Sequence, residues 1–497
     1  MYLSPVSAPR PAQTLARLAI GFGLLTASCA ERRGDVPLES ATAALTIADA
    51  SPSPGDLDVL FMVDNSSSMN VMQQKLTSQI PGFITALESL PLGLPNIHIA
   101  VVSSDLGAPG DSTPSIMCTP AGDQGLFEAQ PRGTCTSTSL ASGETFISNV
   151  GGVANYTGNL ADVLSCIAPL GDAGCGFEHQ LASVARALGA DGSPAPEQNS
   201  GFLRPGADLA IIFLTNEDDC SAPSNTMLYS LNGYQQNIAD PLGPIANYRC
   251  NSFGHLCVDP TAGGSTCLLE PPLKSPVDAT VTASGPTLNL TDCESNDRDG
   301  FLTPVSSFVK GIRALKADPD RQIVVGAITA PATPYTIAWV PESGGQNTSP
   351  GELWPQVEHS CGPLGGDEVN PAGQSATDGS FGDPSVRITQ LVGAFGSNGV
   401  TSSICDADYG NAFSAIVSRI GAQLQGGTAG SATGTAGTSG TALPVCPNGI
   451  NTGTNTGLKS GGCGDGCAVG AAHPGAFSLA SLGILLVVAR RRRKSVR

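Results

Sequence analysis

Along the middle of the chain, runs of almost continuous apolar residues alternate with segments of helical period. Strands are predicted at 57–63 (Leu-Asp-Val-Leu-Phe-Met-Val), 97–103 (Ile-His-Ile-Ala-Val-Val-Ser), 208–215, 322–329 and, from a weaker pattern, 400–404. Helices are predicted between and after them, at 70–90, 178–189, 301–316, 386–396 and 409–424. In the segment 301–316, Val305, Phe308, Val309, Ile312 and Leu315 fall on one helical face. Strands that are apolar at nearly every position are buried on both faces, as parallel sheets require. Repeated strand, helix, strand succession implies right-handed crossovers. The pattern therefore predicts an α/β fold with a doubly wound, mainly parallel sheet.

Three stretches break the alternation, at about 104–158, 220–298 and 330–384. They carry much of the Gly and Pro and eight of the cysteines. With 61 Gly, 38 Pro and 5% aromatic residues in 497, the composition implies long loops around one core, so a single domain over 55–425 with large insertions is expected. Disulfides are expected to replace secondary structure as the restraint in these insertions. Two of the insertions leave strands on the edge where the 57–63 strand ends, which makes them the natural specificity elements there.

The ends of the chain have a different character. Arg10 and Arg17 precede the apolar stretch Leu18–Leu25 and the small residues Thr26-Ala27-Ser28-Cys29-Ala30, the order of a signal peptide over 1–30, followed by a linker at 31–54. Cys29 after small residues resembles a lipobox, with Thr26 where Leu is usual, while Ser28-x-Ala30 also suits an ordinary signal peptidase. From Gly426 to Gly440 the sequence is almost purely Gly, Ala, Thr and Ser, so 426–460 reads as a flexible linker. The tail 461–497 begins Gly-Gly-Cys463-Gly-Asp-Gly-Cys467, continues with an apolar segment from Gly475 to Ala489 and ends in an Arg/Lys cluster. It resembles the MYXO-CTERM sorting tails of myxobacterial surface proteins. That resemblance implies retention at the cell surface or outer membrane of a Gram-negative bacterium, with membrane contact through a lipid, the C-terminal segment or both; a plain unprocessed anchor is the alternative.

Export makes disulfides the expected state of the eleven cysteines from Cys118 to Cys405, an odd number for which Cys446 could supply a partner. Cys118 with Cys135, and Cys257 with Cys267, have the spacing of local staples, although spacing does not fix connectivity. The five histidines are scattered without the spacing of zinc ligands. A formal charge of −18, with much of the basic content gathered at the C-terminus, argues against a nucleic-acid partner.

The chemistry with the clearest signal lies just past the first strand, where Asp64-Asn65-Ser66-Ser67-Ser68-Met69 presents an Asp-x-Ser-x-Ser cluster. Ligands of parallel sheets bind beyond the carboxyl ends of the strands. One carboxylate and two hydroxyls there offer the hard oxygens that Mg²⁺ prefers, with Mn²⁺ or Ca²⁺ as alternatives. The competing reading is a Ser-rich turn that caps the next helix. The residues and their placement resemble the metal-ion-dependent adhesion site (MIDAS) of von Willebrand factor type A (VWA) domains, and the strand–helix layout resembles that Rossmann-like fold over roughly 55–425. The Gly174-Cys175-Gly176-Phe177-Glu178 and Glu217-Asp218-Asp219-Cys220-Ser221 pieces resemble a cysteine-rich bacterial surface subgroup of the family.

The resemblance implies metal ligation by Asp64, Ser66 and Ser68. It also implies a Thr from a second loop, where this chain has Asp172 or Ala173, and an Asp after a later strand, where it has Asn216 followed by Glu217, Asp218 and Asp219. Asp172, Asn216, Asp218 and Asp219 are therefore further candidates. A site of this kind keeps open positions on the cation for an acidic group of a protein or other anionic ligand. The expected function is a non-enzymatic surface binding module. The alternatives are a structural envelope protein with a metal-free site and, on weaker grounds, a secreted hydrolase, for which neither a Gly-x-Ser-x-Gly elbow nor a His-Glu-x-x-His motif is present. The cluster Asn296-Asp297-Arg298-Asp299-Gly300 resembles part of a calcium loop but lacks its closing glutamate, and is expected to be the turn leading into the 301–316 helix.

Overall fold

The computed structural model describes residues 55–108, 118–133, 135, 138–226, 228–229, 247–260, 287–298, 301–341, 353–362 and 379–426. The leader, the 31–54 linker, the spacer beyond 426, the C-terminal tail, Cys267 and Cys446 lie outside these residues. In chain order the elements are β1 (Asp56–Val63), α1 (Asn70–Glu88), β2 (Asn96–Ser103), β3 (Ile147–Val150), β4 (Val153–Ala154), α2 (Leu160–Ile167) and α3 (Gln180–Leu188). Then follow β5 (Asp208–Leu214), α4 (Asn247–Gly254), β6 (His255–Val258), β7 (Thr287–Ser295), α5 (Val305–Arg313) and α6 (Pro319–Gln322). The last are β8 (Ile323–Thr329), β9 (Tyr335–Pro341), β10 (Leu353–Val357), α7 (Val386–Gly393), β11 (Gly399–Ser403) and α8 (Gly410–Leu424).

All five predicted strands form, and they make the parallel part of a seven-stranded sheet of order β11-β8-β5-β1-β2-β3-β4. The β3–β4 hairpin adds an antiparallel edge. Because β1 is flanked by β2 on one side and β5 on the other, the order reverses at β1/β5. That crevice is the switch point of the doubly wound sheet, the place where sheets of this kind hold their ligands. Alternation along β1 divides the core. Leu57, Val59, Phe61 and Val63 face α1 and α8, while Leu60 and Met62 face the layer containing α3, α5 and α7. On the first side Phe61, Phe83 and Phe413 form an aromatic trio, with Phe61 and Phe83 edge to face at 5.5 Å and Phe83 and Phe413 5.1 Å apart.

The predicted helix at 301–316 starts only at Val305, because Pro304 fixes the backbone ahead of it and disfavours helix at Thr303. Asp297 accepts from the Val305 and Ser306 N–H groups, so the acidic turn caps α5, as expected of a turn leading into a helix.

The insertions depart from expectation. All three, not two, leave the carboxyl edge of the parallel sheet, following β2, β5 and β8. They are also not loops held by disulfides alone, since the second and third together build a four-stranded antiparallel sheet, β10-β9-β7-β6. Five disulfides join ten of the eleven cysteines from Cys118 to Cys405: Cys118–Cys175, Cys135–Cys166, Cys220–Cys250, Cys257–Cys293 and Cys361–Cys405. The staples Cys118–Cys135 and Cys257–Cys267 suggested by spacing do not form. Cys257 instead meets the cysteine on its paired strand, β7, and Cys118 meets the loop before α3, which Asp105 draws in through the Cys175 N–H.

At the opposite edge of the sheet Arg204 binds Asp58 at 2.8 Å and the carbonyls of Leu57 and Asn96, fastening the base of β1 to that of β2. Both ends of the described domain reach this pole. Gly55 lies against Leu424 of α8, where a Cβ would come within 2.5 Å of that side chain, and Arg321 bonds the Gly426 carbonyl. Among the described residues no helix is long and apolar enough to cross a membrane.

The aromatic trio yields the first expectation. Phe83→Ala removes a fully buried ring between β1 and α8 and should cost about 3–5 kcal/mol, read as a lower midpoint with unchanged slope in urea unfolding; a loss below 1 kcal/mol would contradict this packing.

Candidate metal centre

The β1 strand ends by burying Asp64 completely at the switch point. A carboxylate taken out of water must find donors, and three neighbouring segments supply them. The Ser66 N–H bonds Oδ1 at 2.8 Å from the same turn, the Ser104 hydroxyl bonds Oδ1 at 3.1 Å from the end of β2, and the Thr215 hydroxyl bonds Oδ2 at 2.6 Å from the end of β5. Gln180 in turn donates to Thr215 Oγ1. Burial raises the Asp64 pKa, and the bonds from Thr215, Ser66 and Ser104 oppose that rise.

Ser66 and Ser68 do not cap the following helix. The N-cap of α1 is Met69, whose side chain makes no capping bond, and the two serine hydroxyls bond each other and Asn216 and not the first turn of the helix. Ser66 Oγ and Ser68 Oγ lie 3.2 Å apart, and Ser68 donates to Asn216 Oδ1 at 3.1 Å. Neighbouring ligands of octahedral Mg²⁺, each at 2.0–2.1 Å, are about 3 Å apart. The hydroxyl, hydroxyl and amide oxygens therefore have the spacing of coordination-octahedron edges beside the carboxylate. Among the described residues no three His, Cys, Asp or Glu side chains form a group that could hold a metal ion. The oxygens that the structure brings together here are those of Ser66, Ser68 and Asn216, with Asp64 behind them.

Asp172 is exposed on the 170–175 loop and Ala173 beside it likewise. The loop itself is drawn to the Asp64 turn. Gly174 N–H donates to the Asn65 carbonyl, and a Cβ at Gly174 would come within 2.3 Å of the Asn65 side-chain amide, which would have to move aside.

The acidic run after β5 is divided among three tasks. Asp218 is buried, accepts from the N–H groups of Val386, Arg387 and Ile388 at the start of α7, and bonds His255 at 2.7 Å. Asp219 accepts from the Leu181 N–H in the first turn of α3 and pairs with buried Arg387 at 3.0 Å. Both point neither at the serines nor into solvent. Opposing its burial, the bonds from His255 and Arg387 hold the Asp218 carboxyl below its usual range. The structure thus brings together Asp64, Ser66, Ser68 and Asn216 and assigns Asp218 and Asp219 to helix termini and an ion pair.

Glu217 has the third task. It keeps part of its surface open to solvent, yet burial of its carboxyl and the negative charges of Asp383 and Asp64 push it up to about 8. Its hydrogen-bond partner Glu178, fully buried, is raised well above its ordinary value by burial and by the charges of Glu217 and Asp64. No Lys or Arg among the described residues pairs with Asp64, Glu178 or Glu217. Nearby Asp383 is bonded by His359 at 2.6 Å and anchored through its N–H to the Asn216 carbonyl. The pole thus gathers several carboxyl groups, of which Asp383, Asp218 and Asp219 are paired with His359, His255 and Arg387, while Asp64, Glu178 and Glu217 are bonded by hydroxyl, N–H or carboxyl groups.

Sequence reasoning missed Thr215, Ser104, Gln180, Glu178 and Glu217 as members of this pole. Thr215 was in view as the last residue of a predicted strand; a rule that both strands at the switch point contribute their terminal residues would have found it, given the strand order. A scan against family models finds no match for the chain, and a search of curated proteins finds none either.

Two expectations follow from these partners. Asp219→Ala would leave Arg387 charged and buried, so stability should fall by about 3–5 kcal/mol, read from urea unfolding; a loss below 1 kcal/mol would contradict this pairing. With Glu217 raised, the folded protein binds more protons than the unfolded chain between the ordinary glutamate value of 4.5 and about 8. The stabilising contribution of Glu217 is complete below 4.5 and is lost as pH rises through about 8. Thermal melts in EDTA should show stability declining across that window, and Glu217→Gln should flatten the decline; an unchanged slope would contradict the pairing.

Proposed function

We propose that this is an exported, cell-surface binding module of VWA type, non-enzymatic, that uses a divalent cation, Mg²⁺ in the first place, to engage an acidic group on a protein or other anionic ligand. The observation that carries the reading is the pair of serine hydroxyls, free of any helix-capping duty, set with Asn216 at cation-ligand spacing in front of a buried carboxylate at the switch point. A bound divalent ion would supply a Lewis-acidic centre with exchangeable positions for the ligand's carboxylate. In this reading Ser66, Ser68 and Asn216 contribute neutral oxygens, leaving the ion more net positive charge than carboxylate ligands would. Asp64 holds the serine turn through the Ser66 N–H and supplies the compensating negative charge. The disulfide-tied insertions, all leaving the same edge, form the rim that would select the partner. The leader and the C-terminal tail read from the sequence give the surface location.

One observation favours the metal-free structural alternative: the Asp64 carboxylate already has three donors and is satisfied without an ion. Calorimetry with Mg²⁺ and Mn²⁺ separates the two. Wild type should bind with measurable heat, Asp64→Ala should bind none, and Ser68→Ala should bind about tenfold or more weakly. Saturating metal should also raise stability, by about 2.7 kcal/mol at a hundred times the dissociation constant. Absence of heat with wild type would leave the structural envelope role as the better account.

A further inference from the structure

The turn that carries Asp64, Ser66 and Ser68 is tied to the loop at 171–174, about a hundred residues further along the chain, through one buried side chain. Gln73 sits in the first turn of α1 and is 3% exposed. Its Nε2 donates to the Asp64 carbonyl at 2.7 Å and to the Gly171 carbonyl at 2.8 Å, while its Oε1 accepts from the Gly171 N–H at 2.9 Å. A primary amide has two N–H donors and a carbonyl oxygen that accepts, and here both donors and the oxygen are engaged by the backbone of the two loops. Gly171, in a left-handed conformation at φ 86°, directs both of its backbone groups to the same amide. The next fastening along the loop is Gly174 N–H to the Asn65 carbonyl, followed by the Cys118–Cys175 disulfide. The exposed pair Asp172 and Ala173 is therefore held on both sides, by Gln73 before it and by Asn65 after it.

We propose that Gln73 is a positioning residue of the cation site, one that acts by locking the Asp64-to-Ser68 turn against the 171–174 segment and so fixing the serine hydroxyls of that turn before an ion arrives. The proposal rests on the cation reading above. An alternative in which Gln73 merely helps the fold predicts a different result. Its neighbours Asp64 and Gly171 would lose bonds and the melting temperature would drop, but a folded molecule would bind the ion as before. Under the positioning role the folded molecule binds more weakly, because ordering of the serine turn must then accompany binding.

The test uses Gln73→Met, which keeps the shape of the side chain and removes its hydrogen bonds, and Gln73→Glu, which keeps the acceptor for the Gly171 N–H and loses the donors. Mn²⁺ affinity is read from the electron-paramagnetic-resonance signal of the free ion, on protein shown to be folded by circular dichroism. Exchange of the Gly171 amide proton is followed in parallel without metal. The expected result is an affinity about tenfold lower for Gln73→Met and a smaller loss for Gln73→Glu, with faster Gly171 exchange in the methionine variant. Wild-type affinity in folded Gln73→Met overturns the positioning role while leaving the cation site intact. Should that variant not fold, wild-type affinity in Gln73→Glu does the same. Absence of Mn²⁺ binding by the wild type removes the cation site itself and this role with it.

Discussion

A carboxylate buried at the end of the central strand sets the terms for the rest of this pole. Asp64 cannot be left without donors in a dry crevice, and the chain meets that demand from three directions, with the Ser66 N–H, the Ser104 hydroxyl and the Thr215 hydroxyl. Each donor belongs to a different connection at the carboxyl edge of the sheet. Satisfying one buried group therefore fixes the relative positions of the turns after β1, β2 and β5, and the Ser66–Ser68–Asn216 arrangement is a by-product of that fixation. The burial that demands donors also makes the negative charge costly, and the adjacent Glu178–Glu217 pair adds to it.

The acidic run at 217–219 shows how one short segment can couple two layers. Asp218 caps α7 and holds His255 at the start of β6, whose other ring nitrogen meets the Tyr335 hydroxyl on β9. Asp219 caps α3 and neutralises Arg387 on α7. The small antiparallel sheet built by the insertions is thereby fastened to the parallel sheet through buried charge, at the point where the second insertion leaves β5. Breaking either pair would expose the cost of an uncompensated ion inside the protein, which makes this junction intolerant of substitution even though it lies in what reads as an inserted region.

The parallel sheet was legible because fully buried strands announce themselves in apolar runs, and the Asp-x-Ser-x-Ser cluster because it is local. What the sequence hid was hidden for physical reasons. The strands of the second sheet mix polar and apolar positions, as in Thr-Leu-Asn-Leu-Thr-Asp-Cys-Glu-Ser of β7, and β10 contains Pro355, so neither carries a clean period. Asp218 and Asp219 have the composition of a solvated acidic turn; their burial depends on a helix that begins some 170 residues later. Thr215 joins Asp64 only because β5 lies beside β1, a strand order that periodicity does not specify. Gln73, one of several polar residues on an amphipathic helix, had no local mark distinguishing it from its exposed neighbour Gln74.

The two ends of the described domain meet at the pole opposite Asp64, with Gly55 against Leu424 and Gly426 held by Arg321. Any pull between a group gripped at the Asp64 pole and the chain entering at Gly55 travels lengthwise through β1. That strand is in register with β2 from Asp56 to Val63 and with β5 from Leu57 to Val63. The load is thus shared in shear by two ladders of hydrogen bonds at once, with none exposed to be unzipped singly from an end. Resistance to forced opening is governed by the rate of unfolding and not by equilibrium stability alone, so it is these two ladders, and not the depth of the core, that would set how the domain yields to such a pull.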